Sequence, residues 1–250
     1  LAWVLDRERD DLVKLVEGDR LGREIVKYVR PEPKFRSYSL IRFHGHHVLT
    51  AMMLRCRRSV LSRLVALPLA GLVGACSRAD VVNALVTRDG YDIVENISYG
   101  PLGRQRLDIY RPLSATVSTP VVVFFYGGGW DSGDRCDYLF VGQRLAAAGY
   151  VVVIPDYRLY PDVVFPGFIE DCALAVAWVG NNIADHGGDP DRMALTGHSA
   201  GAYNMMMLAL DRRYLDAVAW PTERIAAVVG LAGPYDFRPF DSNLLRRIFG

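Results

Sequence analysis

Four short runs of the chain, residues 120–126, 150–155, 193–196 and 225–232, are almost unbroken apolar sequence, with segments of helical spacing between them. A strand that is apolar on both faces needs cover on both faces, as in a parallel sheet sandwiched between helices. The intervening segments supply that cover. Residues 137–148 carry Tyr138, Val141 and Leu145 at helical intervals and run into Gly149, a helix-stop signal. Residues 168–183 place Ile169, Cys172, Val176 and Val179 on one face, and residues 200–210 form a third helical run. Strands alternating with helices predict right-handed crossovers and an α/β fold built on a mostly parallel, doubly wound sheet. Ahead of it, residues 91–99 and 106–110 are β-rich, with Gly100, Pro101 and Gly103 between them, and predict an antiparallel hairpin. The α/β domain is therefore expected over residues 91–250.

In such a sheet ligands bind beyond the carboxyl ends of the strands, and two glycine-rich segments fall there. The first is Tyr126-Gly127-Gly128-Gly129-Trp130. The second is Gly197-His198-Ser199-Ala200-Gly201, a G-x-S-x-G pattern at the junction of a strand and a helix. A serine on such a strand–turn–helix elbow has its hydroxyl pushed out above the sheet, and the flanking glycines let strand and helix backbones pass closely. The glycine run supplies backbone N–H groups with no side chain to block a substrate carbonyl, and the N–H of Ala200 supplies a second source near a helix N-terminus. A phosphate-binding loop is the competing reading, but no Lys-Ser/Thr pair follows and Trp130 closes the run.

These segments, in this order, resemble the α/β-hydrolase superfamily in its carboxylesterase branch, which includes hormone-sensitive-lipase-like, feruloyl-esterase-like and arylformamidase-like members. The resemblance spans residues 94–249. It also rests on Asp156-Tyr157-Arg158-Leu159, Phe165-Pro166, Asp171, Trp178, Gly187-Gly188-Asp189-Pro190 and Gly233-Pro234-Tyr235-Asp236. It implies Ser199 as nucleophile and the N–H groups of Gly128, Gly129 and Ala200 as the oxyanion hole, with neither metal nor cofactor. Many relatives carry histidine where Tyr126 stands, a residue that braces the loop. Asp156 and Arg158 are expected to be structural, ion-paired or hydrogen-bonded near the site entrance.

One departure concerns the base. The triad order in this fold is Ser, then Asp or Glu, then His, and no histidine follows His198. His186 precedes the strand leading to Ser199, at the opposite end of a parallel sheet, and His198 adjoins the nucleophile. Asp236 lies too early to be the acid. The chain starts at Leu1 and stops at Gly250, so the expectation is a fragment whose last strands, with acid and base, lie beyond Gly250. A sheet cut there is expected to have an uncovered edge.

Residues 1–51 are expected to be a spurious or disordered extension, although residues 6–29 have loose helical spacing. His44, His46 and His47 lack acidic or cysteine partners for a metal site. Residues 52–76 read as a lipoprotein signal. Arg55, Arg57, Arg58 and Arg63 precede a short apolar run, and Val73-Gly74-Ala75-Cys76 resembles a lipobox with Cys76 as the lipidated residue. That signal requires Met52 or Met53 as the start, and the alternative is a buried helix in a cytoplasmic protein. Residues 77–90 would be a linker to an extracytoplasmic, membrane-anchored domain. The net charge of +1 offers no footprint for nucleic acid. The leading expectation is a serine hydrolase acting on small carboxylic esters. An arylformamidase or other amidase on the same machinery is the alternative within enzymes, and a non-catalytic binding protein of this fold the alternative outside them.

Overall fold

The computed structural model describes residues 2–6, 11–15, 83, 86 and 89–250. The charged N-terminal helix pattern beyond residue 15, the three clustered histidines, the signal-like segment with Cys76 and most of the linker lie outside these residues. The sheet comprises β1 (Ala2–Asp6), β2 (Asp11–Leu15), β3 (Tyr91–Ser98), β4 (Arg106–Pro112), β5 (Thr119–Phe125), β6 (Val151–Pro155), β7 (Gly188–His198) and β8 (Ile225–Leu231). Their order across the sheet is β2-β1-β8-β7-β5-β6-β4-β3. β6, β5, β7 and β8 run parallel, with β4 antiparallel to β6 and β3 antiparallel to β4. The expected hairpin is therefore present, with a register shift between Val94 and Ile97.

The apolar runs form the middle of the sheet because both of their faces are covered. Val121, Val123 and Phe125 of β5 and every residue of β6 are buried. Three principal helices do the covering: α1 (Leu139–Ala147), α2 (Gly167–Asn182) and α3 (Ala200–Leu210). A short α4 (Arg212–Asp216) and a final α5 (Asn243–Phe249) follow. Gly149 ends α1 in a left-handed conformation, φ 92°, as its place in the sequence predicts. α3 is apolar nearly all round, and Ala200, Ala202, Met205, Met206, Leu208 and Ala209 are all buried. A helix of that kind belongs in the interior.

Two sequence expectations differ from the structure. The loose helical spacing of residues 6–29 gives way at Asp11–Leu15 to a strand, because pairing with β1 outweighs a weak local preference. The edge of β8, expected to be bare, pairs antiparallel with β1, Ala2 lying opposite Leu231. The backbone groups of that edge are satisfied by the pairing. No helix among the described residues is long and apolar enough to cross a membrane.

Candidate active site

Ser199 sits between the last residue of β7 and the first of α3 with φ 52° and ψ −118°, a conformation that L-residues seldom adopt. Such strain persists only where the surroundings enforce it. Here the Ser199 N–H donates to the Leu231 carbonyl at 2.8 Å, tying the elbow to the end of β8. The two glycines of the motif are sterically required. A Cβ on Gly197 would come 2.5 Å from the Gly201 carbonyl oxygen, and one on Gly201 would overlap the carbonyl oxygens of Phe125 and Tyr126. α3 thus crosses directly over the end of β5, which no side chain at Gly201 would permit.

That crossing brings the glycine loop to Ser199. β5 and β7 are parallel neighbours with Phe125 opposite Gly197, so the residues after β5 emerge beside Ser199. A Cβ on Gly127 would stand 3.0 Å from the Ser199 Cβ and 2.9 Å from His198 Nδ1. Gly128, Gly129 and Trp130 follow with φ of 128°, 61° and 65°. Three successive residues at positive φ turn the loop sharply, and a Cβ on Gly128 would overlap the Ser132 carbonyl oxygen. The four residues assigned from the motifs, Ser199, Gly128, Gly129 and Ala200, therefore belong to two adjoining turns at one end of the sheet.

A charged network braces the start of the loop. The Tyr126 hydroxyl donates to Asp156 Oδ1 at 2.9 Å and accepts from Arg104 Nη2 at 2.8 Å. The Arg135 N–H donates to Asp156 Oδ1 at 2.9 Å, its Nη1 pairs with Asp156 Oδ2, and its Nε donates to Asp108 at 2.9 Å. The Tyr157 hydroxyl donates to the Tyr126 carbonyl at 2.8 Å. Burial and the nearby Asp156 push the Tyr126 phenol well above its ordinary range, so it remains a proton donor. Burial, with Asp134 adding to it and Arg135 opposing, also raises the Asp156 carboxyl. The expectation that Asp156 and Arg158 are structural holds, with different partners for each. Arg158 donates through Nε and Nη2 to the fully buried Asp171, both at 2.8 Å, and Gln105 donates to the same carboxylate at 2.8 Å.

An aromatic wall rises beside the elbow. Trp130 meets the edge of Tyr203 at 5.5 Å and of Phe249 at 4.8 Å, and Phe237 lies 5.4 Å from Tyr203. α5 is anchored over this cluster by the Phe165 N–H, which donates to the Ile248 carbonyl at 2.9 Å. An open recess of about 480 Å³ adjoins it, lined by Arg238, Pro239, Phe240, Arg246 and Phe249. Sequence reasoning did not find this wall, because residues 232–249 carry no period that would fix where they fold.

His186 ends a short 3-10 turn (Ile183–His186) at the start of β7, far along the sheet from Ser199, and its burial lowers its pKa. His198 is exposed at the end of β7. Neither accepts a hydrogen bond from the Ser199 hydroxyl among the described residues. Asp236 is exposed in the loop between β8 and α5. No cluster of metal-ligating side chains occurs among the described residues.

A parallel core with antiparallel strands on the β3 side, crossovers covered by helices and a strained serine elbow defines the α/β-hydrolase fold. Residues 107–247 match the BD-FAE family, and the chain belongs to it. It is 36% identical over 149 residues to a protein of Oryza sativa subsp. japonica named probable isoprenylcysteine alpha-carbonyl methylesterase ICMEL1, covering 58% of this chain and 35% of that one. It is 37% identical over 149 residues to the probable carboxylic ester hydrolase LipM of Mycobacterium tuberculosis, covering 57% and 35%. Among solved structures, esterase B of Lactobacillus rhamnosis inhibited by a tributyrin phosphonate superposes with a TM-score of 0.53 at 26% identity, covering 61% of this chain and 52% of that one. The chain spans about a third of the length of the two curated relatives.

Proposed function

We propose that the protein is a serine esterase that cleaves carboxylic esters with an apolar acyl or alcohol portion. Ser199 Oγ attacks the ester carbonyl. The oxyanion accepts hydrogen bonds from the N–H groups of Gly128, Gly129 and Ala200. The alcohol departs with the proton taken from Ser199, and water then hydrolyses the acyl-enzyme to the acid. Oxyanion donors of this kind are each worth roughly 10²–10³ in kcat. The general base is a histidine other than His186, which lies at the far end of β7, and His198, which accepts no hydrogen bond from the Ser199 hydroxyl. Tyr203, Phe237 and Phe249, packed over the buried Trp130, form the apolar surface beside the reacting carbonyl. Amide cleavage on the same machinery is the neighbouring activity.

The observation that carries this reading is the strained Ser199, at φ 52°, with the glycine loop packed against it. Labelling of the full-length protein by a fluorophosphonate probe, with turnover of a 4-nitrophenyl ester series, tests it. Labelling is expected in the wild type and lost in Ser199→Ala, with kcat/KM falling by at least about 1,000-fold. Absence of both labelling and turnover in the wild type would favour a non-catalytic binding protein. For the N-terminal part we propose cleavage before Cys76 and lipidation of its thiol, supported by the arginine-rich, apolar and small-residue sequence of residues 52–76. Intact mass after bacterial expression checks this, and an unprocessed chain with a free Cys76 thiol would refute it.

A further inference from the structure

Asn204 is the polar side chain that α3 takes into the interior, and it is fully buried. A buried carboxamide must find partners or destabilise the fold. The Trp130 indole Nε1–H donates to Asn204 Oδ1 at 2.8 Å, and Asn204 Nδ2 lies 3.7 Å from Cys172 Sγ on α2. The indole can only donate, so the amide has one usable orientation: oxygen toward Trp130, nitrogen toward the sulfur. Burial holds the Cys172 thiol well above its ordinary pKa, so it stays neutral and the contact stays uncharged.

Trp130 is the last of the three consecutive positive-φ residues that turn the glycine loop. Its own backbone is held as well, because the Tyr160 N–H donates to the Trp130 carbonyl at 2.8 Å. Asn204 stands on the same helix as Ala200, slightly more than one turn along it. The two sources of oxyanion donors, the loop and the N-terminus of α3, come from segments far apart in the chain. A single neutral hydrogen bond spans them, between residues 74 apart.

We infer that Asn204 is a positioning residue: through Trp130 it holds the N–H groups of Gly128 and Gly129 in register with that of Ala200. The inference rests on the serine-esterase reading above. It assigns a role in rate to a side chain that touches no substrate, and in that it differs from a role in packing alone. Losing the bond lets the loop drift relative to the elbow, which weakens oxyanion stabilisation in the transition state and leaves ground-state binding nearly untouched.

The test uses the full-length protein and four variants: Asn204→Leu, Asn204→Asp, Trp130→Phe and the double Asn204→Leu/Trp130→Phe. For 4-nitrophenyl butyrate, Asn204→Leu and Trp130→Phe are each expected to lower kcat by about 10- to 100-fold while KM moves far less. The double variant is expected to be no slower than the slower single, because both remove one shared bond. Asn204→Asp, whose carboxyl burial keeps neutral, retains an acceptor for the indole and should recover most of the lost rate. Should Asn204→Leu fail to fold, Trp130→Phe takes its place: it removes the indole donor together with part of the ring, and a fall in kcat at near-constant KM, in a variant as stable as Asn204→Asp, separates the lost bond from lost packing. Unchanged kcat in a folded Asn204→Leu or Trp130→Phe, or losses that multiply in the double variant, would overturn the inference. A wild type that neither turns over esters nor reacts with a fluorophosphonate would instead refute the esterase reading, and this inference with it.

Discussion

The glycine loop is held at its two ends by different chemistry. At Tyr126 the anchor is ionic: Asp156 and Asp108, both nearly buried, receive Arg135 and Arg104 from chain segments nearer the surface. At Trp130 the anchor is a neutral amide, Asn204, with the thiol of Cys172 behind it. The difference follows from depth. The guanidinium of Arg104 keeps about a third of its side chain in solvent and that of Arg135 about a seventh, so part of their hydration survives. Asn204 has no solvent at all, and a charge there would face the full desolvation penalty. Ionic braces therefore suit the edge of a site and neutral ones its floor. The two ends should also fail differently, the ionic end in stability and the amide end in rate.

The largest effect is expected from Asp156→Ala. It leaves Arg135 with Asp108 as its one carboxylate, beside the Asn96 amide oxygen, and strips Arg104 and the Tyr126 hydroxyl of their shared acceptor, a loss of about 3 kcal/mol of folding stability. Chemical denaturation would measure it, and a variant that unfolds like the wild type yet loses kcat would invert the comparison. Tyr126→Phe removes one hydroxyl from the same network and should cost about 1 kcal/mol by the same measurement. A cost equal to that of Asp156→Ala would mean that the phenol, and not the carboxylate, is the centre of the brace.

The smallest effect concerns pH. The folded pKa of Asp156 is raised, chiefly by burial, above its ordinary 3.8. The folded chain therefore binds a proton there more tightly than the unfolded chain. The contribution of this carboxyl to stability is complete below the unfolded value and is lost as pH rises through the folded one. Asp156→Asn cannot titrate, so the stability of the wild type relative to this variant should fall as pH rises above the ordinary 3.8 and through the raised folded value. A relative stability that rises over that interval would show that the arginines outweigh burial.

Much of this site was readable in the chain itself. Ser199, Gly197 and Gly201 form a local pattern whose demands are steric, and the close approaches at Gly197 and Gly201 bear out the expected reason for glycine there. The pairing of Arg158 was foreseen without its partner, Asp171, because a charge in a sequence does not say which opposite charge it will meet. Arg135 had no signal: it sits in a turn, and Asp108 is 27 residues earlier. Asn204 had only a weak one, as a lone amide in an otherwise apolar helix.

By itself, then, the sequence determined the parallel sheet, the helices that cover it and the elbow with its glycines. Each of these follows from unbroken apolar runs, from a period of 3.6 residues, or from backbone angles that few residue types accept. The tertiary structure alone decided what holds the elbow and the glycine loop together. The antiparallel pairing at β8, the aromatic wall under α5, the ionic brace at Tyr126 and the amide bond to Trp130 all join residues distant in the chain. Their partners are selected by the burial and close packing of the folded state, which no local stretch of sequence encodes.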